Sequence, residues 1–245
     1  MKSKRLRFFL FHLAISVIVI LMIISLVFLM WYPNPLAKAV GVTHIFLILF
    51  AIDIVLGPLL TLIVYKDGKK SLKFDLTVVI VIQMFALTYG IYTIAQGRPV
   101  WIVFTNQRFE LVRNNEIVWE HIENTRLEFQ KTLFSKPQYA AVKYENDNIQ
   151  KNNDIFTEVM GGVSLSQFPE RYQSLDQVKN KITHQANHLT KLNDFNEKKQ
   201  VEKIITKYPQ ATAWLPLKAN TMDMVVLINR EKGEVVKIVD LRPWK

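Results

Sequence analysis

The sequence predicts a membrane protein in which three transmembrane α-helices are followed by an α+β extracytoplasmic domain. The chain has 245 residues and is 50% hydrophobic, and its apolar residues crowd into roughly the first hundred positions. Basic residues flank these apolar stretches, and in the remainder strand-like segments are followed by helix-like segments and then by strand-like segments again. We therefore predict a three-helix membrane domain over residues 1–97 and an α+β domain over residues 98–245.

Three apolar runs carry the membrane prediction: 8–31, 44–65 and 76–95. A bilayer core needs about 20 apolar residues in a helix, and only a helix satisfies their backbone groups in lipid. The first run follows four basic residues, as a signal peptide would, but signal h-regions span only about 7–15 residues. We therefore expect the first run to be an uncleaved transmembrane helix.

Basic residues predict the orientation of these helices. Four precede the first helix and four lie in the 66–75 loop, whereas the 32–43 loop has only Lys38. Because Lys and Arg are retained on the cytoplasmic side, the N-terminus and the 66–75 loop are expected in the cytoplasm. The domain over 98–245 is then expected on the outer side.

Charge and cysteine content exclude several classes of function. The net charge is +10, but residues 1–97 hold nine basic and three acidic residues, so most of the excess flanks the membrane helices. A nucleic-acid-binding protein would instead concentrate its basic residues on a soluble face, and we expect no such partner. The chain has no cysteine, so the outer domain must be stabilised by packing alone, without disulfides or thiolate chemistry.

Residues 98–245 show a strand–helix–strand order typical of an α+β domain. Ser174 with Gln177 forms a capping-box pattern that begins one helix, and Asn193 precedes a second that Pro209 ends. Strands are predicted at 100–104, 108–112, 127–129 and 139–144, and a hairpin at 224–228 and 234–239.

Sequence motifs give no support for an enzyme. His184 and His188 have the i, i+4 spacing of two metal ligands, but Gln185 replaces the glutamate of the zinc protease pattern and no third ligand is obvious. The interpretation favoured here is a solvated helix face. No phosphate-binding loop or nucleophile elbow is present, so we expect no catalytic residues, no metal and no cofactor.

Asp53 is the strongest anomaly, because it lies inside the second apolar run. A charge at a helix centre costs about 2.5–3.5 kcal/mol on insertion scales, and such residues usually face protein or a water-filled cavity. Helix rise puts Thr88 and Tyr89 of the third run at a similar depth, so they are the predicted hydrogen-bond partners of Asp53. A polar contact to the membrane helix of another protein is the alternative. Proton transport would need a relay, and we count one acid and no intramembrane base.

Gly57 and Pro58 follow Asp53 in the same run. Proline removes an i to i−4 hydrogen bond and kinks a helix, and glycine lets a neighbouring helix approach closely. Gln83 of the third run is a further polar candidate. The stretch therefore predicts a kinked helix whose polar face meets protein, either the third helix or a partner.

These residues resemble the type IV pilin accessory proteins of the TfpX/TfpZ family, which includes FimB-like proteins. The match is dense over 32–109 and sparse beyond it. It is carried by Tyr32-Pro33-x-Pro35-Leu36, Asp53-x-x-Leu56-Gly57-Pro58-x-Leu60-Thr61-Leu62, Lys73-x-Asp75-Leu76, Gln83, Ala86-Leu87-x-Tyr89-Gly90, Arg98-Pro99, Arg108-Phe109, Trp214-Leu215-Pro216 and Pro243-Trp244.

The resemblance implies a multi-pass protein of the bacterial inner membrane whose C-terminal domain lies in the periplasm. It implies a helper or chaperone that acts on a cognate major pilin to favour pilin assembly and surface piliation, with other pilus machinery as a further partner. We expect the face with Asp53, Gly57, Pro58, Gln83 and Tyr89 to meet the pilin membrane helix, and the outer domain to bind the pilin head. The alternative is an envelope sensor or regulatory subunit whose periplasmic domain binds a ligand, which a polar pocket in 98–245 would favour.

Overall fold

The computed structural model describes residues 4–119, 122–130, 135–144 and 162–245. The chain divides into two compact units. The membrane unit comprises Met1–Met30 and Val42–Gly97, and the sheet unit comprises Trp31–Gly41 and Arg98–Lys245. The predicted fold class is confirmed, because three helices long and apolar enough to span a membrane precede an α+β domain. The segment Trp31–Gly41, which the sequence places in the membrane domain, clusters with the sheet unit.

Four helices occupy the first hundred residues: α1 (Lys4–Trp31), α2 (Leu36–Val40), α3 (Val42–Val64) and α4 (Leu72–Gln96). Helices α1, α3 and α4 are the three candidate membrane spans. The last turn of α1, Val27–Trp31, is π-helical, and so is the middle of α3, Ala51–Leu56. Inside α3 this wider segment lies directly before Gly57 and Pro58, where proline cannot donate a backbone hydrogen bond.

Helix α3 is the middle element of the membrane unit, and both α1 and α4 pack against it. Two glycines allow α3 and α4 to approach each other. A Cβ on Gly57 would lie 1.7 Å from Nε2 of Gln83, and a Cβ on Gly90 would lie 2.4 Å from Cδ1 of Leu49. At Gly57 a side chain of α4 fills the space above α3, and at Gly90 a side chain of α3 fills the space above α4. Small residues commonly allow such close packing between membrane helices.

The N-terminus of α1 is held to the end of α3 by polar contacts. Lys4 forms an ion pair with Asp67 at 3.2 Å, and the guanidinium of Arg5 donates to the carbonyl of Leu62. These contacts fix α1 beside α3 at the end of the unit that carries the basic residues.

One mixed sheet organises the sheet unit. Within the described residues it has eight strands in the order β4-β3-β1-β2-β6-β7-β8, with β5 pairing to β6. The pairs β1–β3 and β2–β6 are parallel and the others antiparallel. The strands are β1 (Pro99–Phe104), β2 (Phe109–Arg113), β3 (Gln138–Val142), β4 (Tyr172–Gln173), β5 (Asn187–His188), β6 (Ala213–Lys218), β7 (Met224–Asn229) and β8 (Glu234–Val239).

Helices and short helical turns surround this sheet. Helix α5 spans Lys179–Gln185 and α6 spans Lys198–Ile205. The described 3-10 turns are Asn114–Glu116, Ile122–Asn124, Leu127–Phe129, Leu165–Gln167, Pro169–Arg171, Leu175–Val178 and Leu189–Asp194.

Both faces of the central strands are buried. Side chains alternate along a strand, so Ile102 and Phe104 of β1 pack in one core with Ile182 of α5. Trp101 and Val103 face the opposite side. On β7 every residue from Met224 to Ile228 is buried. The sheet is therefore covered on both faces, which explains why β1 and β7 read as continuous apolar runs.

The short helix α2 is part of the core of the sheet unit. Leu36 and Ala39 are buried in the same core as β1 and β7. The carbonyl of Ala39 accepts from the backbone N–H groups of Thr221 and Met222, at 2.9 and 3.1 Å, and Lys38 pairs with Asp240 at 2.6 Å. The stretch 32–43, predicted as a loop on the outer side of the membrane, thus contains a helix that completes the core of the sheet unit.

Several predicted elements differ from the observed ones. The strand predicted at 127–129 is wrong, because Leu127–Phe129 forms a 3-10 turn. The helix that Ser174 begins ends at Gln185, since Asn187–His188 pairs with β6 as a strand. The second helix starts at Lys198 rather than after Asn193. The strand at 139–144 and the hairpin strands at 224–228 and 234–239 are confirmed as β3, β7 and β8.

Candidate functional site

A groove about 400 Å³ in volume lies between α1 and α4, with α3 as its floor. It forms because α1 and α4 each pack on α3 and leave a gap between themselves. Along α1 it runs from Phe8 to Val19, a distance of about 16 Å at the helical rise. That length is roughly half of a 30 Å hydrocarbon core. The groove therefore extends from the basic end of the unit to about the middle of its span.

The walls of the groove are mainly apolar, with three polar side chains among them, and the floor contributed by α3 is polar. The apolar lining residues are Phe8, Phe11, Ile15, Val19, Leu76, Ile80, Met84 and Leu87, and the polar ones are His12, Ser16, Asp53, Thr61 and Gln83. Such a combination of apolar walls with a few converging polar groups is typical of a binding site.

Asp53 lies in this floor and is only 5% exposed. Its Oδ2 atom is buried and has no hydrogen-bond partner among the described residues. Oε1 of Gln83 likewise has no partner that meets hydrogen-bond geometry, although the imidazole of His12 is close enough to interact with this side chain. A buried polar atom without a partner destabilises a protein by about 1–3 kcal/mol. Both atoms are acceptors in the same groove, and no described side chain forms a well-aligned hydrogen bond to either of them.

The π-helical segment of α3 explains how Asp53 reaches the groove. The N–H of Gly57 bonds to the carbonyl of Ile52, the wider pattern of a π-helix. Asp53, Gly57 and Thr61 follow at intervals of four residues, and all three are buried. Pro58 occupies the first turn of the α-helical part that follows, where its missing N–H is tolerated. The Gly-Pro pair thus marks a change of helical register that presents Asp53 and Thr61 on one face.

The predicted partners of Asp53 lie elsewhere. The hydroxyl of Thr88 donates to the carbonyl of Met84 in its own helix, at 2.7 Å, a bond that Thr side chains often form inside helices. Tyr89 is 72% exposed and does not line the groove. Of the residues predicted as partner-binding or interhelical, Asp53 and Gln83 line the groove, and Gly57 and Pro58 lie buried beneath it. The helical phase of α4, and not depth alone, separates Thr88 and Tyr89 from Asp53.

Three polar groove residues were not among the site residues predicted from the sequence: His12, Ser16 and Thr61. Nδ1 of His12 lies 2.6 Å from Oγ1 of Thr61, so these two side chains join α1 to α3. The count of intramembrane bases was therefore wrong, because it omitted His12. The i, i+4 spacing of His12 and Ser16 within an apolar run is the signal that could have identified them.

A second polar pocket, of about 190 Å³, lies in the sheet unit beside β2. Its centre is Glu110, whose carboxylate accepts from the hydroxyls of Ser164 and Ser166, at 2.6 and 2.7 Å, and from Arg108 at 2.9 Å. Glu116 is likewise bonded to Arg113 and Asn220. These carboxylates are satisfied within the protein, so the pocket works as an internal hydrogen-bond network.

This network lowers the pKa of Glu110. Burial by itself raises the pKa of the carboxyl, but the hydrogen bonds from Ser164, Ser166 and Arg108 outweigh it. The pKa of Glu116 is lowered in the same way, where burial is opposed by Arg113 and Asn220. Both groups are therefore held as carboxylates, and they tie β2 and the turn after it to the segment before β4 and to the loop between β6 and β7.

The two histidines with metal-ligand spacing do not share a helix. His184 lies in α5, but His188 lies in β5, and its Nε2 is 3.4 Å from a guanidinium nitrogen of Arg230. The solvated helix face predicted for this pair is thus wrong, because α5 ends between them. Among the described ranges, no group of three His, Cys, Asp or Glu side chains is placed to hold a metal ion.

Comparison with known proteins places the chain among fimbrial assembly proteins. Residues 2–41 match the family model described as "Fimbrial assembly protein FimB". The fimbrial assembly protein of serogroup I from Dichelobacter nodosus is 27% identical over 89% of this chain and 88% of the relative. The protein of serogroup E1 from the same organism is 26% identical over the same shares.

A third relative, the fimbrial assembly protein of serogroups C1 and C2 from Dichelobacter nodosus, is 33% identical over 113 residues. That match covers 45% of this chain and 86% of the relative. No solved structure matches the chain.

Proposed function

The chain belongs to the FimB family of fimbrial assembly proteins, and from this we propose that it acts in fimbrial assembly as an inner-membrane accessory factor for a type IV pilin. Three relatives named for fimbrial assembly support the general role. The finer proposal is that the chain acts as a pilin-specific chaperone. It binds the major fimbrial subunit in the membrane before the subunit is assembled, and so promotes surface piliation.

The observation that carries this proposal is the groove between α1 and α4. A fimbrial subunit awaiting assembly must keep its apolar helix in the membrane. A groove with apolar walls can bind that helix, because helices associate within lipid mainly by packing closely against one another. A polar floor adds specificity, because only a helix with matching polar groups satisfies it.

The two-unit architecture supports a second contact, to the soluble head of the subunit. The distribution of basic residues favours a cytoplasmic N-terminus and a periplasmic sheet unit. A membrane helix and a periplasmic head are then both within reach of one chain. Because the chain has no cysteine, single cysteines at Lys70 and Lys199 test this topology with a membrane-impermeant maleimide. We expect labelling of intact spheroplasts at position 199 only, and labelling at position 70 instead would overturn the orientation.

Site-specific photo-cross-linking tests whether the groove holds the subunit. A photoreactive residue replaces Leu87, which lines the groove, in cells that make the major fimbrial subunit of the same bacterium. The matched control replaces Ile82, an aliphatic residue of the same helix that is 60% exposed and does not line the groove. We expect adducts with the subunit from position 87 and few from position 82. Equal capture at both positions, or none at position 87, would reject the groove as the seat.

The sensor alternative has less support than the groove. A polar pocket of about 400 Å³ in the sheet unit is lined by Asn106, Gln107, Asn180, Lys181, His184 and Gln185, but none of these side chains has a buried polar atom that lacks a partner. The polar pocket beside Glu110, at about 190 Å³, is smaller than the roughly 300–1,000 Å³ of ordinary ligand pockets. Its carboxylates are already bonded within the protein. The groove, by contrast, contains polar atoms that still need partners.

A further inference from the structure

We infer that the groove selects its partner through charge: the bound transmembrane helix carries an ammonium or guanidinium group that pairs with Asp53. This inference depends on the proposed function for the identity of the partner, the fimbrial subunit. It adds the chemistry by which that subunit is recognised.

The unsatisfied atoms of the groove define what the partner must bring. Oδ2 of Asp53 and Oε1 of Gln83 are both buried acceptors without a well-aligned hydrogen bond from the described residues. A carboxylate and an amide oxygen facing one groove favour a group with several N–H donors. An ammonium or a guanidinium supplies at least three, and it also neutralises the charge of the acid.

The argument for a cation is strengthened by the cost of charges in lipid. An isolated acid and an isolated base are each unfavourable in the bilayer core, and such groups persist there mainly when they are paired. A partner helix with a basic group would therefore gain from a groove that offers an acid at the same depth. Asp53 in turn gains the counter-charge that its own unit lacks.

The protein itself cannot provide this group. No Lys or Arg occurs in the sequence between Phe8 and Trp31, between Val42 and Val64, or between Leu76 and Gln96. The imidazole of His12 contacts Thr61 through Nδ1 and also interacts with the side chain of Gln83. A second copy of the chain in the groove would thus leave Asp53 unpaired.

A lipid chain does not fit the floor either. An acyl tail would complement the apolar walls but would leave both acceptors without hydrogen bonds. Burying an unpaired polar group in an apolar environment is unfavourable. The polar floor thus favours a helix with a donor over a lipid tail.

Cross-linking from Leu87 in Asp53 variants tests the inference. Asp53→Asn keeps the shape of the side chain and removes its charge, and Asp53→Glu keeps the charge. We expect capture of the fimbrial subunit to fall by about tenfold or more in Asp53→Asn, as for loss of one partner of a buried charge pair, and to be largely retained in Asp53→Glu. Ser25→Ala, which removes a neutral polar group from α1 outside the groove, is the matched control and should leave capture within about twofold of wild type.

The outcomes separate this inference from the proposed function. Absence of subunit adducts in the wild-type chain, or adducts with lipid alone, would reject the proposed function and this inference with it. Wild-type capture that persists unchanged in Asp53→Asn would overturn the charge pairing and leave the groove as the seat of the subunit.

A second measurement does not depend on the folding of an Asp53 variant. Each Lys or Arg of the subunit in or beside its transmembrane helix is replaced in turn by Gln, and capture by the wild-type chain is scored. We expect one replacement to lower capture about tenfold, and to have little further effect when it is combined with Asp53→Asn. If no basic residue affects capture, the inference is wrong.

Discussion

Gly57 lies directly under the amide of Gln83, so the absence of a side chain at this residue fixes the position of a groove-lining group. A Cβ at Gly57 would come within 1.7 Å of Nε2 of Gln83. That contact is possible only for glycine unless the amide moves. The residue therefore couples the packing of α3 and α4 to the shape of the groove.

Gly57→Ala should lower the free energy of unfolding by about 1–3 kcal/mol, the usual penalty for overpacking a well-packed site. Gln83→Ala removes the obstructing amide, so in that background the same change should cost less than about 0.5 kcal/mol. The measurement is the unfolding of the purified protein in detergent micelles. Equal penalties in both backgrounds would show that Gln83 is not what Gly57 accommodates.

Glu110 of the sheet unit differs from Asp53, because its carboxylate oxygens accept hydrogen bonds from Ser164, Ser166 and Arg108. These hydrogen bonds lower the pKa of Glu110. A carboxyl whose folded pKa is lower than its unfolded value stabilises the protein above the unfolded pKa, and this contribution is lost as the pH falls through the folded pKa. The ordinary value for glutamate is 4.5. The stabilisation that this hydrogen-bond network gives the fold should therefore decrease as the pH falls below about 4.5.

Glu110→Gln should reduce stability at pH 7 and flatten its decline below about pH 4.5. Glu128→Gln is the control, because Glu128 pairs with Arg126 on the surface with more than half of each side chain exposed. Thermal unfolding of the full chain in detergent between pH 3 and pH 7 measures both slopes. A Glu110→Gln profile parallel to that of the wild type would contradict the role of the network.

Among the secondary-structure elements, α2 differs most from the prediction, because it belongs to the sheet unit and not to the membrane unit. Its five residues contribute Leu36 and Ala39 to the core beneath the sheet. The carbonyl of Ala39 receives two backbone hydrogen bonds from the segment before β7. A stretch that lies between two membrane helices in the sequence is thus a structural part of the sheet unit.

Leu36→Ala should lower the stability of the sheet unit by about 2–5 kcal/mol, as expected for a buried leucine that leaves a cavity. Lys38→Ala removes only an exposed ion pair and should change stability by less than about 1 kcal/mol. Protection of β7 amides from hydrogen exchange in the full chain distinguishes the two variants. If Leu36→Ala leaves that protection unchanged, α2 is not part of this core.

The membrane helices and the strands β1, β2, β7 and β8 could be predicted from the sequence because each has a strong local signal of length or apolar pattern. Strand β6 could not, since Pro216 in its middle argues against a central strand. The strand tolerates it because β2 pairs with β6 only at Leu217 and Lys218, beyond the proline. Helix α2 was not predicted because its five residues are too few to show the periodic apolar pattern of a helix with one buried face.

The candidate site was only partly predictable for a related reason. Asp53 and Gln83 stood out as polar residues in apolar runs, and both line the groove. The groove itself depends on which helices contact each other. It exists because α1 and α4 both pack on α3, an arrangement that no single apolar run encodes. The pairing of His12 with Thr61 is invisible for the same reason.

For the whole molecule, membership of the FimB family supports a role in fimbrial assembly. We propose that the chain fulfils this role by holding the membrane helix of the subunit in the groove. Charge pairing at Asp53 would make that binding selective. The sheet unit would add a contact to the soluble part of the subunit. Each of these steps depends first on the groove being needed for piliation.

Surface fimbriae counted in a deletion strain, complemented with variants of the full chain, test that need directly. Leu87→Trp fills the groove, and Ile82→Trp places the same indole on a face that does not line it. With both variants present in the membrane at wild-type amounts, we predict that Ile82→Trp restores surface fimbriae and that Leu87→Trp does not. Full restoration by Leu87→Trp would contradict the proposed role of the groove.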